Sequence, residues 1–71
     1  MTDDTSSEID KLIEELNSDD YDVRKTAVEV LGKIGDARAV EPLIKTLTDV
    51  NADVRISTAK ALAEIGNNCE H

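Results

Sequence analysis

Two acidic and two basic side chains recur at a fixed spacing and are the most prominent polar residues of the sequence. Asp22 and Arg24 are followed, 31 positions later, by Asp53 and Arg55. Arginine forms bidentate hydrogen bonds with carboxylates and other anions, so these four residues could build an anion or carboxylate site. A single site would not need duplication at a constant interval, and the duplication therefore favours a structural role in a repeated unit.

A second polar motif begins like a calcium-binding loop. Asp49, Asn51 and Asp53 alternate with other residues, as the first oxygen ligands of an EF-hand loop do. The rest of the loop is missing, because Val54 stands at the sixth position in place of glycine and Lys60 at the twelfth in place of glutamate. Turn and helix-cap chemistry accounts for these acids and amides, so we expect no calcium site.

Other catalytic or metal-binding chemistry has no support in the sequence. Cys69 and His71 are the only cysteine and histidine, so the four ligands of a protein zinc site are missing. Serine and threonine lack a histidine placed to activate them, and no glycine-rich phosphate loop is present. We therefore expect no catalytic residue, no metal and no cofactor, and a protein that is not an enzyme.

The charge of the chain is concentrated near its beginning. The 71 residues carry a formal net charge of −8. Within residues 1–20, eight acids stand against Lys11 alone, which gives a net charge of −7 in that segment. Binding to a phosphate backbone requires clustered Lys and Arg, and no basic stripe exists here. Nucleic acid is therefore not expected as a partner, whereas a basic protein surface is a good electrostatic match for this acidic protein.

Hydropathy and cysteine usage predict a cytoplasmic protein that does not bind membranes. No apolar run approaches the roughly 18 residues of a spanning helix, and no charged-then-apolar leader opens the chain. A lone cysteine cannot form an intramolecular disulfide, which fits a reducing compartment.

An internal repeat predicts the fold. Residues 9–36 align without a gap on residues 40–67, and nine of the 28 positions are identical. Helix-period spacing of the apolar residues predicts two helices per repeat, first a Leu-Ile helix and then a Val-Arg helix. The predicted core positions are Ile9, Leu12, Ile13, Leu16, Val23, Ala27, Val30, Leu31 and Ile34 in the first repeat, and Val40, Leu43, Ile44, Leu47, Val54, Ala61, Leu62 and Ile65 in the second.

Capping residues predict the helix boundaries. Asp20 and Asn51 are placed to cap the Val-Arg helices, and Gly35 and Gly66 are predicted left-handed residues that end them. Pro42 is tolerated only in a first turn, so the third helix should begin near residues 39–41.

These boundaries predict an all-α fold with four helices in two antiparallel helix-pair repeats of 31 residues. The repeats should occupy residues 8–36 and 39–67, within one domain spanning residues 8–67. An acidic and mostly disordered segment is expected over residues 1–7, and a disordered end over residues 68–71.

The residues quoted next carry a resemblance to a known family. Val23–Arg24, Leu31–Asp36 and Arg38–Ile44 resemble the HEAT-like repeat of the phycobilisome lyase type. The second unit departs from the pattern, with Ala63 where the first has Gly32 and Asn67 where the first has Asp36.

The resemblance implies an armadillo-like α-solenoid with the Leu-Ile helices on its convex side and the Val-Arg helices on its concave side. It also implies that Asp22, Arg24, Asp53 and Arg55 form a structural ladder, in which the arginine of one unit bonds carboxylates and carbonyls at the turn of its neighbour. Fold alone does not fix function.

Non-core positions of the Val-Arg helices should then line the concave face. They are Tyr21, Asp22, Lys25, Thr26, Glu29, Lys33, Ala52, Asp53, Ile56, Ser57, Lys60 and Glu64. Tyr21 and Ile56 are large residues at positions that should face water, and such residues can anchor a protein partner. We predict a partner-binding set of Tyr21, Lys25, Thr26, Glu29, Ala52, Ile56, Ser57 and Lys60.

The last helix carries a second apolar stripe. Val28 and Gly32 lie where the next unit should stack, and glycine there suggests a close approach of two helices. Their counterparts Ala59 and Ala63, together with Ile56, should be uncovered. We therefore expect self-association through Ile56, Ala59 and Ala63, most simply as an isologous homodimer.

The expected function is that of an adaptor or scaffold module that binds a protein through the Val-Arg helices. Two alternatives remain open at this stage. One, which rests on the family resemblance, is an auxiliary subunit of a bilin lyase-like or other modifying enzyme. The other is a purely structural oligomerisation unit.

Overall fold

The computed structural model of the protein describes residues 4–69, and every regular element in that range is helical. The α-helices are α1 (Asp4–Glu15), α2 (Tyr21–Ile34), α3 (Val40–Thr46) and α4 (Ala52–Cys69), with a 3₁₀ turn at Ala37–Ala39 before α3. Each repeat contributes one helix pair, and α2 makes its most extensive contacts with α4. The prediction of an all-α fold with four helices is confirmed.

The predicted caps begin and end the helices of the first repeat. The Asp20 carboxylate accepts a hydrogen bond of 2.9 Å from the Asp22 N–H and caps α2. Gly35 ends α2 in the left-handed region, at φ 73° and ψ 24°, and its N–H donates to the Leu31 carbonyl. The Asn51 side chain accepts from the Asp53 and Val54 N–H groups at 2.8 and 3.3 Å and caps α4.

The start of the third helix is also as predicted. α3 begins at Val40, which places Pro42 in its first turn, where a missing N–H costs no intrahelical hydrogen bond. Asp36 caps the preceding 3₁₀ turn by accepting from the Arg38 N–H at 2.8 Å.

The predicted stop at Gly66 is wrong. α4 continues through Gly66 and ends at Cys69, and Gly35 is the only glycine with a positive φ in the described residues. The cause lies in the following residue. After Gly35 the chain turns and Asp36 caps a new helical turn, whereas Asn67 after Gly66 is followed by no such turn in the described residues.

The terminal helices are longer than predicted. α1 already begins at Asp4, and α4 includes residues 68 and 69, so the segments 1–7 and 68–71 are helical in part. The remaining residues of those two segments, 1–3 and 70–71, lie outside the described residues.

The core lies between the two helix pairs rather than within each of them. Its buried apolar residues are Ile9, Leu16, Ala27, Val28, Leu31, Ala39, Leu43, Val54, Ala61 and Ile65. Four predicted core residues are substantially exposed: Val30 and Ile34 at 36%, Leu47 at 37% and Ile44 at 50%. Val28 and Gly32, predicted to lie under the next unit, are buried. The stacking of the second repeat on the first therefore decides which face of α2 is covered.

Gly32 stands where α2 comes closest to α4. A methyl group on Gly32 would lie 2.8 Å from the Cβ atom and 2.9 Å from the Cα atom of Ala61. Real Cβ atoms do not approach so closely, so the helices reach this spacing only with glycine on one side. The predicted close approach is confirmed.

Candidate partner-binding groove

The groove between α2 and α4 is the most developed concave surface of the described residues. It has a volume of about 490 Å³. Its walls are Lys25, Glu29 and Lys33 on α2 and Asp53, Ile56, Ser57, Lys60, Ala61 and Glu64 on α4. Each wall is a ridge of residues three or four positions apart, which is the spacing that places side chains on one helix face. The close approach at Gly32 and Ala61 fixes the distance between the two ridges.

The charges of the groove alternate along both walls. Lys25, Glu29 and Lys33 follow one another on α2, and acid, base and acid follow in the opposite order of sign on α4, at Asp53, Lys60 and Glu64. None of these six groups forms an ion pair with another described residue. All six can therefore form charge-assisted hydrogen bonds with a bound molecule.

Ile56 is the apolar centre of this charged surface. Its side chain is 58% exposed, although it lies among groups that are charged or polar. A large aliphatic side chain surrounded by available charges can anchor an apolar residue of a partner and hold its neighbours by polar contacts. The arrangement is suited to binding a protein segment.

The structure gathers part of the predicted partner-binding set. Lys25, Glu29, Ile56, Ser57 and Lys60 line the groove. Tyr21, Thr26 and Ala52 are exposed but do not line it. Tyr21, 45% exposed, and Ala52 are the first residues of α2 and α4, so they lie near the amino ends of the groove walls.

Four further residues complete the groove. Lys33, Asp53 and Glu64 follow the same helical spacing and were expected on the concave face, although not in the partner-binding set. Ala61 was missed, because its position in the repeat signals core burial and gives no sign of the nearby close approach.

The repeated arginines play unequal parts. Arg24 spans the two repeats: its Nε and Nη2 atoms donate to the Asp49 carboxylate at 2.7 and 3.1 Å, and its Nη1 atom donates to the Ser18 carbonyl at 2.6 Å. This is the contact between neighbouring units that a ladder requires, with Asp49 as the acidic partner. Arg55 donates only to the Asp49 carbonyl of its own repeat.

The acids of the predicted ladder are not its acidic partners. The carboxylates of Asp22 and Asp53 form no ion pair with any described residue. Because Asp49 already neutralises Arg24, these four repeated residues do not come together as an anion site.

The calcium-like motif serves as a turn. The Asp49 carboxylate accepts from the Asn51 N–H at 2.9 Å as well as from Arg24. Burial raises the pKa of Asp49, but these hydrogen bonds and the charge of Arg24 outweigh it and hold the pKa below its ordinary value. In the described part of the chain, no three His, Cys, Asp or Glu side chains are grouped as metal ligands.

The predicted self-association residues lie on the outer part of α4. Ile56, Ala59 and Ala63 are all exposed. Ile56 borders the groove as well, so one residue serves both predicted surfaces. None of the helices in the described residues combines the length and the apolar character needed to cross a bilayer.

Two similarities to known proteins accompany this geometry. A family model described as HEAT repeats matches residues 9–70. The phycocyanobilin lyase subunit alpha of Picosynechococcus sp. is 40% identical to the chain over 47 residues. That match covers 66% of this chain and 18% of the relative, so the chain spans less than a fifth of the protein that it resembles.

Proposed function

Because the chain belongs to the HEAT repeat family, we propose that it is a non-catalytic adaptor or scaffold that binds a protein partner in the groove between α2 and α4. The observation that carries this proposal is the exposed Ile56 side chain among six charged groups without ion-pair partners in the described residues. Such a site offers one apolar anchor and several directional polar contacts, and it offers no reactive group.

The groove is built to bind without rearrangement. Both walls are helices locked together at Gly32 and Ala61 and by the Arg24 contact to Asp49, so little ordering accompanies binding. A matching partner segment carries an apolar residue flanked by side chains of both signs. The net charge of −8 favours a partner whose wider surface is basic, and that attraction weakens as salt is added. A reducing, cytoplasmic setting agrees with the single cysteine.

Ile56→Asp should abolish the anchor and weaken binding of a groove ligand by about tenfold or more, which corresponds to about 1.4 kcal/mol. A phage-displayed library of random peptides, selected on the immobilised protein, supplies ligands without knowledge of the natural partner. Calorimetric titration of the enriched peptides into wild type and variant then measures the loss. Tyr21→Ala, at the amino end of α2, should weaken them less.

Val50→Asp is the matched control. Val50 is 91% exposed in the turn before α4 and does not line the groove, so the same change of chemistry leaves groove binding intact. Peptides that bind wild type and Ile56→Asp equally well would place the binding surface elsewhere. Failure to enrich any peptide, with circular dichroism confirming a folded target, would argue against a peptide-binding groove.

A second candidate function follows from the partial relative. We propose it in the form of an auxiliary subunit that assists a bilin lyase-like or other modifying enzyme, supported by the 40% identity to a phycocyanobilin lyase subunit. Binding of a linear tetrapyrrole should then shift the absorbance spectrum of the pigment when the protein is added. An unchanged spectrum at protein concentrations well above that of the pigment would remove the direct form of this role.

We also propose that copies of the chain associate through the outer part of α4. Ile56, Ala59 and Ala63 support this, since all three are apolar and exposed on one helix. Self-association would let a short chain build a longer binding surface, because solenoids gain stability and surface by stacking further units.

A further inference from the structure

The second repeat exposes the counterpart of a face that the first repeat buries. α2 buries Val28 and Gly32 against α4, whereas the residues 31 positions later, Ala59 and Ala63, are exposed on α4. The same holds for the neighbouring large apolar side chains, which remain partly uncovered in the second repeat. We define the C-terminal end face as Ile44, Leu47, Ile56, Ala59 and Ala63.

The first repeat exposes the counterpart of the other side of the same contact. α4 buries Ala61 and Ile65, whereas the residues 31 positions earlier, Val30 and Ile34, are each 36% exposed on α2. These exposed residues are branched aliphatics that the interior contact would cover. We define the N-terminal end face as Leu12, Val23, Val30 and Ile34.

Charge repeats the same relation. Arg24 reaches across the contact between repeats to the Asp49 carboxylate, while Arg55 at the equivalent position has no carboxylate partner in the described residues. The position 31 residues before Asp49 is Ser18, which is followed by Asp19 and Asp20. A second copy stacked in the same way would bring this acidic turn next to Arg55.

From these relations we propose that a second copy of the chain stacks head to tail, with its N-terminal end face on the C-terminal end face of the first copy. The junction would repeat the contact between α2 and α4 that the structure already contains. This inference rests on the proposed self-association and specifies its geometry. It replaces the isologous dimer, which would use one face twice and leave the other end uncovered. Because a head-to-tail contact leaves a free face at each end, assembly continues beyond a dimer.

The junction should be weaker than the contact inside one chain. Inside the chain, Gly32 meets Ala61, and there is no room for a methyl group on the glycine. Between chains, Ala63 and Val30 would take those places, so the two helices stand further apart. We therefore expect reversible association that rises with concentration.

Two substitutions test the geometry by blocking one face each. Ala59→Arg blocks the C-terminal end face, and Val30→Arg blocks the N-terminal end face. Sedimentation velocity, with reductant present to keep Cys69 as a thiol, should show the wild type growing beyond a dimer as concentration rises. Each variant alone should remain at the monomer mass of 7.7 kDa. An equimolar mixture should form a complex of twice that mass, because each variant keeps the face that the other lacks.

Other outcomes overturn the proposal in distinguishable ways. A dimer of Val30→Arg alone, with no further association on mixing, would establish an isologous contact and refute the head-to-tail geometry. A wild type that stays monomeric at every concentration would refute self-association itself. Neither result touches the groove, since peptide binding to wild type and Ile56→Asp is measured separately.

A charge reversal keeps the test valid even if a blocking variant fails to fold. Arg55→Glu and Asp19→Lys both change exposed side chains outside the core. Each single change should weaken association several-fold, and the double variant should restore it, because the junction again joins opposite charges. Additive weakening in the double variant would show that Arg55 and the acidic turn do not meet.

Discussion

Gly32→Ala should lower the free energy of unfolding by about 1–3 kcal/mol, whereas the same substitution at Gly66 should raise it by about 0.5–1 kcal/mol. Both glycines lie within α-helices, so alanine improves helix propensity at either position. At Gly32 the added methyl group meets the Cβ and Cα atoms of Ala61 at under 3 Å. At Gly66 it meets nothing within 4 Å.

Urea unfolding followed by circular dichroism measures both changes on the same scale. The double variant Gly32→Ala/Ala61→Gly supplies the control, because moving the methyl group to the other helix should recover most of the lost stability. A Gly32→Ala variant as stable as wild type would mean that α2 and α4 separate without cost. The spacing of the groove walls would then not depend on this contact.

Local sequence predicted the helices well but not every boundary. Gly35 and Gly66 both follow an Ile at the same position of the repeat, yet only Gly35 adopts the left-handed conformation. The difference depends on the residues that come next, since Asp36 begins a new capped turn. A stop signal is therefore a property of the glycine together with its continuation, and the repeat alone does not carry that information.

Stacking explains the misassigned core positions. Helical spacing alone gives α2 one apolar stripe, which includes Val30 and Ile34, but the helix has neighbours on more than one side. Val28 and Gly32 are buried because α4 lies over them, and Val30 and Ile34 face the uncovered end. The pattern identifies a face as apolar, and only the arrangement of the units decides whether another element covers it.

The groove was predictable in outline because it follows from two helices with known periodicity. Lys25, Glu29 and Lys60 appear at the expected places. The acidic partner of Arg24 was not predictable in the same way. Asp49 lies 25 positions away in the turn of the other repeat, and its own repeat counterpart is Ser18, so the alignment of the units gives no sign of the pair.

Arg24→Ala should destabilise the protein by about 2–4 kcal/mol, more than an exposed ion pair is worth. The Arg24 and Asp49 side chains are only 14% and 9% exposed, so the substitution leaves a largely buried carboxylate without its cation. It also removes the hydrogen bond to the Ser18 carbonyl. Arg55→Ala is the matched control, because Arg55 is exposed and makes one hydrogen bond within its own repeat. Equal losses in urea unfolding would contradict a role for Arg24 in joining the repeats.

The same pair predicts a specific dependence of stability on pH. The pKa of Asp49 is lowered in the folded protein despite burial, which opposes the shift, because the Asn51 N–H and Arg24 favour the charged carboxylate. A carboxyl group with a lowered folded-state pKa stabilises the fold above its unfolded pKa of about 3.9. That contribution is lost as pH falls through the folded-state value. Asp49→Asn removes this titration, so the stability difference between wild type and Asp49→Asn should be largest near neutral pH and shrink in acid. A difference that stays constant across this range would show that Asp49 acts through its shape and not through its charge.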